Sequence, residues 1–342
     1  MADTRQLPVH GMAALAAVLV ALLGTSPSAA ATGQGGARDA AATAPVGPDV
    51  GTPLDCTNWR YGAADEPGPG VLPAEYDRSN YKRTSWRDSD PALAASPHNL
   101  CGQQGAAVDL AWGVTKGRDD VLIAVLDSGI KWRDADTIDD LATAAYVNPG
   151  EVTPPCGATL DCNADGVFDI TDFGAIADRN GNHLADPEDL ILDPARNNDV
   201  DDDHNGYIDD ISGWDFLHGD NNPLDTVRYG HGSGEAEDSV AREGAGSDLG
   251  VCPRCRFVPV RVSDSFIADG GRFAAGVLFA VDSGADVVQE ALGAVSNPRQ
   301  AQRAIDVAYR RGVVVVASMA DEASKHPNLP ASLEHTMAVN SV

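Results

Sequence analysis

The sequence predicts an α/β fold built on a doubly wound parallel sheet, and three observations carry that expectation. Residues 121–126 are consecutive apolar residues that run into Asp127 and turn at once at Ser128-Gly129, the pattern of a strand buried on both faces. Further strand-like runs follow at 257–262, 285–292 and 313–317. Between them the period changes to that of helices: Phe273, Val277, Leu278 and Val281 share one face of 273–283, and a second helix over 298–311 is closed by Gly312. Strands that alternate with helices in this way build parallel sheets covered on both sides.

Taken in order, the chain opens on a secretory-type leader, residues 1–30. Arg5 and His10 precede an apolar run from Met12 to Leu23, and Ser28-Ala29-Ala30 offers small residues for cleavage. The run is too short for an ordinary membrane span. Residues 31–105 form a leader, N-terminal extension or propeptide. Its first part is rich in Ala, Gly and Pro, and residues 54–105 set aromatic residues among turn formers. A short helix is predicted from Gly105 to Gly117, ahead of the 121–127 strand. Residues 230–243 read as a helix opening on Gly230-His231-Gly232, and 336–342 begin one more strand. The main domain is therefore 106–342, with an insertion over 151–215.

Charge marks that insertion. The net charge is −27, and residues 161–215, with sixteen acids against two arginines, supply −14 of it. Nucleic acid is excluded as a partner, because phosphate requires basic patches. Acids concentrated in one segment point to bound cations. Asp161, Asn163, Asp165, Asp169 and Asp172 fall at positions 1, 3, 5, 9 and 12 of an EF-hand-like calcium loop, with Gly166 at position 6. Asp178, Asn180, Asn182, Asp186 and Asp189 repeat the spacing with His183 in the glycine position. Asp201, Asp203, Asn205 and Asp209 repeat it again, with Ser212 at position 12. Ca2+ is the expected cofactor.

Export makes disulfides plausible for the six cysteines. Cys156 lies near Cys162 and Cys252 near Cys255, which would leave Cys56 to Cys101, although spacing alone does not fix connectivity. Zinc is a poor rival, since Cys252-Pro-Arg-Cys255 has no second pair at a matching distance.

The chemistry gathers at three places: Asp127 at a strand end, His231 between two glycines where backbone can approach closely, and the polar loop after 313–317. Here the sequence resembles the subtilisin-like serine proteases over about residues 107–342. Asp127-Ser128-Gly129 matches that family's catalytic Asp motif, and Gly230-His231-Gly232-Ser233 its His motif, with Ser where Thr is usual. Residues 250–262 look like the strand after the His helix, and 284–293 like the substrate-binding strand. The resemblance implies a subtilisin-like α/β fold and acyl transfer, with His231 as general base and Asp127 orienting it. It places Ala291, Leu292 and Gly293 on the substrate and Asp321 where the family has its oxyanion-hole Asn. Ala291 replaces the usual Ser. The family's Gly-Thr-Ser nucleophile stretch does not occur after His231, so the chain is expected to be truncated at its C-terminus, before the serine. The expected protein is a secreted or periplasmic, monomeric, calcium-stabilised endopeptidase acting on protein or peptide substrates, with no stable membrane association after signal cleavage. The rival expectation is a non-catalytic calcium-binding module that uses the same cleft to bind peptides.

Overall fold

The computed structural model describes residues 114–157, 159–243, 249–294, 298–319 and 328–339. The leader, residues 31–113 and Asp321 lie outside these, and Cys56 and Cys101 with them. Among the described residues six strands form one all-parallel sheet: β1 (Leu122–Asp127), β2 (Trp214–Asp215), β3 (Arg256–Arg261), β4 (Val287–Glu290), β5 (Val314–Ser318) and β6 (Thr336–Val339), in the order β2-β3-β1-β4-β5-β6. Its neighbours β3 and β4 make β1 the point where the strand order reverses, and ligands in open α/β sheets bind beside the strand ends at such a point.

Every residue of β1 is buried, as its unbroken apolar run demands. Val121, Ile123 and Val125 face a core shared with α1 (Ala135–Leu141), the short α2 (Pro187–Ile191) and α3 (His231–Val240). Leu122, Ala124 and Leu126 face the opposite core, formed with α4 (Gly270–Asp282) and α5 (Arg299–Arg311). Helices on both faces give the doubly wound α/β arrangement expected from the sequence.

The boundaries differ from the expected ones where capping outweighs periodicity. The α4 helix starts three residues before Phe273, because Asp269 accepts from the Gly271 and Arg272 amides and so caps a start made of glycines. The α5 helix ends as expected, with Gly312 in the left-handed region. The helix predicted over 105–117 has its first nine residues outside the described set, and 114–117 form a turn, with Gly117 at φ +95°. The 285–292 run narrows to four strand residues, since β4 ends at Glu290 where the chain leaves the sheet.

Cys156 pairs with Cys162 and Cys252 with Cys255. Among the described residues no helix is long and apolar enough to cross a membrane.

One buried ion pair positions the segment that leads to His231. Arg261 at the end of β3 lies 3.2 Å from Asp215, and also donates to the Leu224 carbonyl and the Thr226 hydroxyl. Three anchors on one guanidinium fix residues 215–226 against the sheet edge.

Candidate active site

Asp127 ends β1 and is 1% exposed. His231 is the first residue of α3, behind Gly230 in the left-handed region. The His231 Nδ1 lies 2.8 Å from Asp127 Oδ1 and 3.0 Å from Oδ2. Residues 104 apart in sequence thus meet at the carboxyl end of the sheet.

The short residues around this pair are required by the approach. Ser128 Oγ donates to buried Asp225 and accepts from the Gly232 amide, tying the turn after β1 to the start of α3. A Cβ on Gly232 would collide with the Gly129 carbonyl, so only glycine lets the helix settle here. Ser233, in the position where Thr was the expected residue, accepts from the Lys131 amide. Tyr229, 74% exposed, stacks on the imidazole, and Phe266, 57% exposed, meets it edge-on with centroids 5.0 Å apart. Burial lowers the affinity of His231 for its second proton. The hydrogen bond and charge of Asp127, with the charges of Glu235 and Asp225, outweigh that, and the net shift is upward.

Residues 118–342 match the subtilase family, Peptidase_S8. The chain belongs to this family. It is similar to a thermophilic serine proteinase of Bacillus sp. (strain AK1), 32% identical over 140 residues, covering 39% of this chain and 33% of that protein. Thermitase of Thermoactinomyces vulgaris is 31% identical over 134 residues, with 38% and 47% covered. The aligned stretch thus spans between a third and a half of these relatives. Among solved structures, sphericase shares 18% identity over 64% of this chain and 53% of its own, at a TM-score of 0.37.

Of the residues expected on the substrate, Leu292 is buried and Ala291 and Gly293 are half-buried. Gly293 donates to the Phe266 carbonyl and accepts from the Ala268 amide, so its backbone pairs with the loop before α4. Asn328 reaches the same segment, donating to the Leu292 and Ser318 carbonyls.

The three acidic loops follow one template. In each, the carboxylate at position 1 accepts from the amide at position 6: Gly166 to Asp161, His183 to Asp178, Gly206 to Asp201. The position 3 side chain accepts from position 5, and position 5 from position 7. His183 adopts φ +70°, so it takes the left-handed backbone that Gly166 and Gly206 take, at a steric cost. At position 12, Asp172 accepts from the amides of positions 3 and 9 (Asn163 and Asp169), and Asp189 from those of Asn180 and Asp186.

The third loop departs from the sequence reading. Ser212 points away and donates to the Tyr146 carbonyl. Glu151, some fifty residues upstream, takes its role, accepting from Asp203 at 3.0 Å and Asp209 at 3.1 Å. Glu151, Asp203 and Asp210 present carboxylate oxygens within 4.8 Å of one another, a group that could hold a metal ion. Burial, with the charges of Asp203 and Glu151, pushes Asp210 up to about 8 despite the amides of Asn205 and Asn148. Burial likewise pushes Asp186 up to about 6. Among the described residues no cation figures among the groups that shift these two carboxylates. The sequence held no local signal for Glu151, since the residue completing the loop lies outside it.

Glu290 was also missed. It is 1% exposed, at the end of β4 among Ala268, Phe273, Ala301 and Leu333, and among the described residues neither carboxylate oxygen makes a well-formed hydrogen bond, although the Leu292 amide lies close enough to favour the ionised form. Burial, then the charges of Asp127 and Glu235, hold its carboxyl well above the usual carboxylate range. The unfolded chain releases this proton near pH 4.3, at about the ordinary glutamate value. As pH rises beyond that towards the folded value, the unfolded state binds fewer protons, and stability falls. Glu290→Leu is therefore expected to gain about 2 kcal/mol at pH 8 and much less at pH 5. Urea melts at both pH values measure this. An equal gain at both would mean that Glu290 does not stay protonated in the fold.

Proposed function

We propose that this chain is the Asp- and His-bearing part of a secreted, calcium-stabilised serine endopeptidase that cleaves protein or peptide substrates. The observation that carries the reading is the 2.8 Å contact between buried Asp127 and His231 Nδ1 at the switch point of the sheet. In the family's reaction His231 Nε2 takes the proton of the attacking serine and later delivers it to the leaving amine. Asp127 fixes the Nδ1–H tautomer and stabilises the imidazolium. The serine and its oxyanion hole are proposed to come from sequence beyond Val342 together with residues near 321.

Calcium is proposed for the acidic loops. The donors are all oxygens, the hard ligands Ca2+ requires, and among the described residues the buried Asp161 Oδ1 has no hydrogen-bond partner. Asp161, Asn163 and Asp165 would hold one ion, Asp178, Asn180 and Asn182 a second, and Asp201, Asp203, Asn205, Asp210 and Glu151 a third. A bound ion would supply positive charge to a segment whose sixteen acids otherwise repel one another.

A fluorophosphonate probe tests the catalytic reading. The 342-residue chain is expected to remain unlabelled, because it lacks the serine stretch, and a form extended through a downstream Gly-Thr-Ser is expected to label in a His231-dependent way. An extended form that never labels would sink the reading.

A further inference from the structure

His231 has a second acidic neighbour that the triad does not require. Glu235 lies one turn along α3, so its side chain shares the face of His231. Its Oε1 is 3.8 Å from His231 Nε2, the nitrogen opposite Asp127. Its Oε2 accepts from the Gln289 side-chain amide at 2.6 Å. Gln289 sits on β4, paired with Val125 of β1, two residues before Asp127. A glutamate on a helix surface ordinarily samples many rotamers. Here the neighbouring strand fixes it beside the ring.

We propose that Glu235 is a positioning residue for His231, holding the imidazolium from the Nε2 side as Asp127 holds it from the Nδ1 side, and so moving the working range of the base to higher pH. The catalytic part of this proposal rests on the protease reading above. The other charged groups near the ring are Asp225, bound to Ser128, and Lys131, 3.7 Å from Asp225, while Glu290 approaches from the far face of β4. Tyr229 and Phe266 cover the ring without contributing charge. Among these described groups the carboxylates outnumber the Lys131 ammonium, and a proton on His231 is favoured.

The consequence for turnover follows the proton. The serine hydroxyl gives its proton to Nε2 as Oγ bonds to the substrate carbonyl carbon and the C=O pair moves onto oxygen; that pair then re-forms the carbonyl as the C–N bond breaks, and Nε2 gives the proton to the leaving amine. Glu235 takes no proton in either step. It stabilises the charge present between them, and it keeps His231 protonated, hence inactive as a base, until the pH exceeds the raised value.

The test is NMR titration of the His231 Cε1–H in the 342-residue chain, assigned by its loss in His231→Gln. Glu235→Gln keeps the shape and removes the charge, and is expected to lower the midpoint by about one pH unit. Gln289→Ala keeps the charge and removes its tether, and is expected to lower it by less. Thermal melts report whether each variant keeps its fold. A midpoint unmoved in a folded Glu235→Gln chain overturns the proposal. If that variant does not fold, an unmoved midpoint in Gln289→Ala overturns it instead. The protease reading fails separately: an extended form that never labels with fluorophosphonate, while the midpoint still moves, removes the catalytic role and leaves the coupling of Glu235 to His231 standing.

Discussion

His231→Ala is expected to lower kcat by roughly a millionfold, and Asp127→Asn by about ten-thousandfold, in a form of the protein extended through the family's serine. These magnitudes are general to Ser–His–Asp triads, subtilisin's among them, and are not calculated from this geometry. The geometry decides the ordering. On the proposed reading His231 is the group that moves the proton, so alanine would remove the base outright. Asp127 acts through His231, with both carboxylate oxygens within 3.0 Å of Nδ1. An asparagine there turns an amide hydrogen towards Nδ1 and selects the wrong tautomer. Residual activity should survive both changes, because oxyanion stabilisation and binding remain. KM should change little, since neither side chain is expected to bind the substrate in its ground state. Steady-state kinetics on a peptide substrate would measure both terms. A loss below tenfold in His231→Ala would show that another group is the base.

How much of this was legible in the sequence depended on whether the information was local. The β1 strand could be read because burial on both faces requires an unbroken apolar run, and Asp127 stands at its end. His231 could be read because Gly230 and Gly232 are demanded by a left-handed cap and a close approach, and both leave a mark in sequence. The first two acidic loops were legible for the same reason, since each is closed by its own position 12. The third was not, because Glu151 closes it from some fifty residues away. Glu235 stood in view at four residues from His231, but its meaning depends on Gln289, which only the pairing of β4 with β1 brings near. Glu290 lay unremarked inside the strand-like run 285–292. That the chain buries it between the sheet and α4 is a property of packing, which no period reveals.

Calcium removal is expected to lower the thermal midpoint of the 342-residue chain by about 5–10 °C for each strong site emptied. An ion at a hundred times its Kd stabilises the folded form by about 2.7 kcal/mol. A folded unit of about 150–250 residues, the size range of the matched stretch 118–342, shifts by about 2–4 °C per kcal/mol. The physical ground is charge. Residues 161–215 carry a net −14, and burial has raised Asp169, Asp186, Asp210 and Glu151 above the usual carboxylate range. Each therefore resists ionisation in the fold unless a cation offsets it. The backbone template is satisfied by the side chains themselves, so the loops should loosen in chelator and not unravel the sheet. Glu151 makes the prediction specific. If it completes the third loop, Glu151→Gln should remove one ion from the titration stoichiometry, while Ser212→Ala, at the position that spacing alone would choose, should remove none. The loss should be comparable with that from Asp201→Asn, which contributes to the same loop from within. Calorimetric titration with calcium counts the ions, and melts in calcium and in chelator give the stability. Identical midpoints in the two buffers would dispose of calcium as a stabiliser. A calcium count unchanged in Glu151→Gln but reduced in Ser212→Ala would return the third loop to its sequence-local closure.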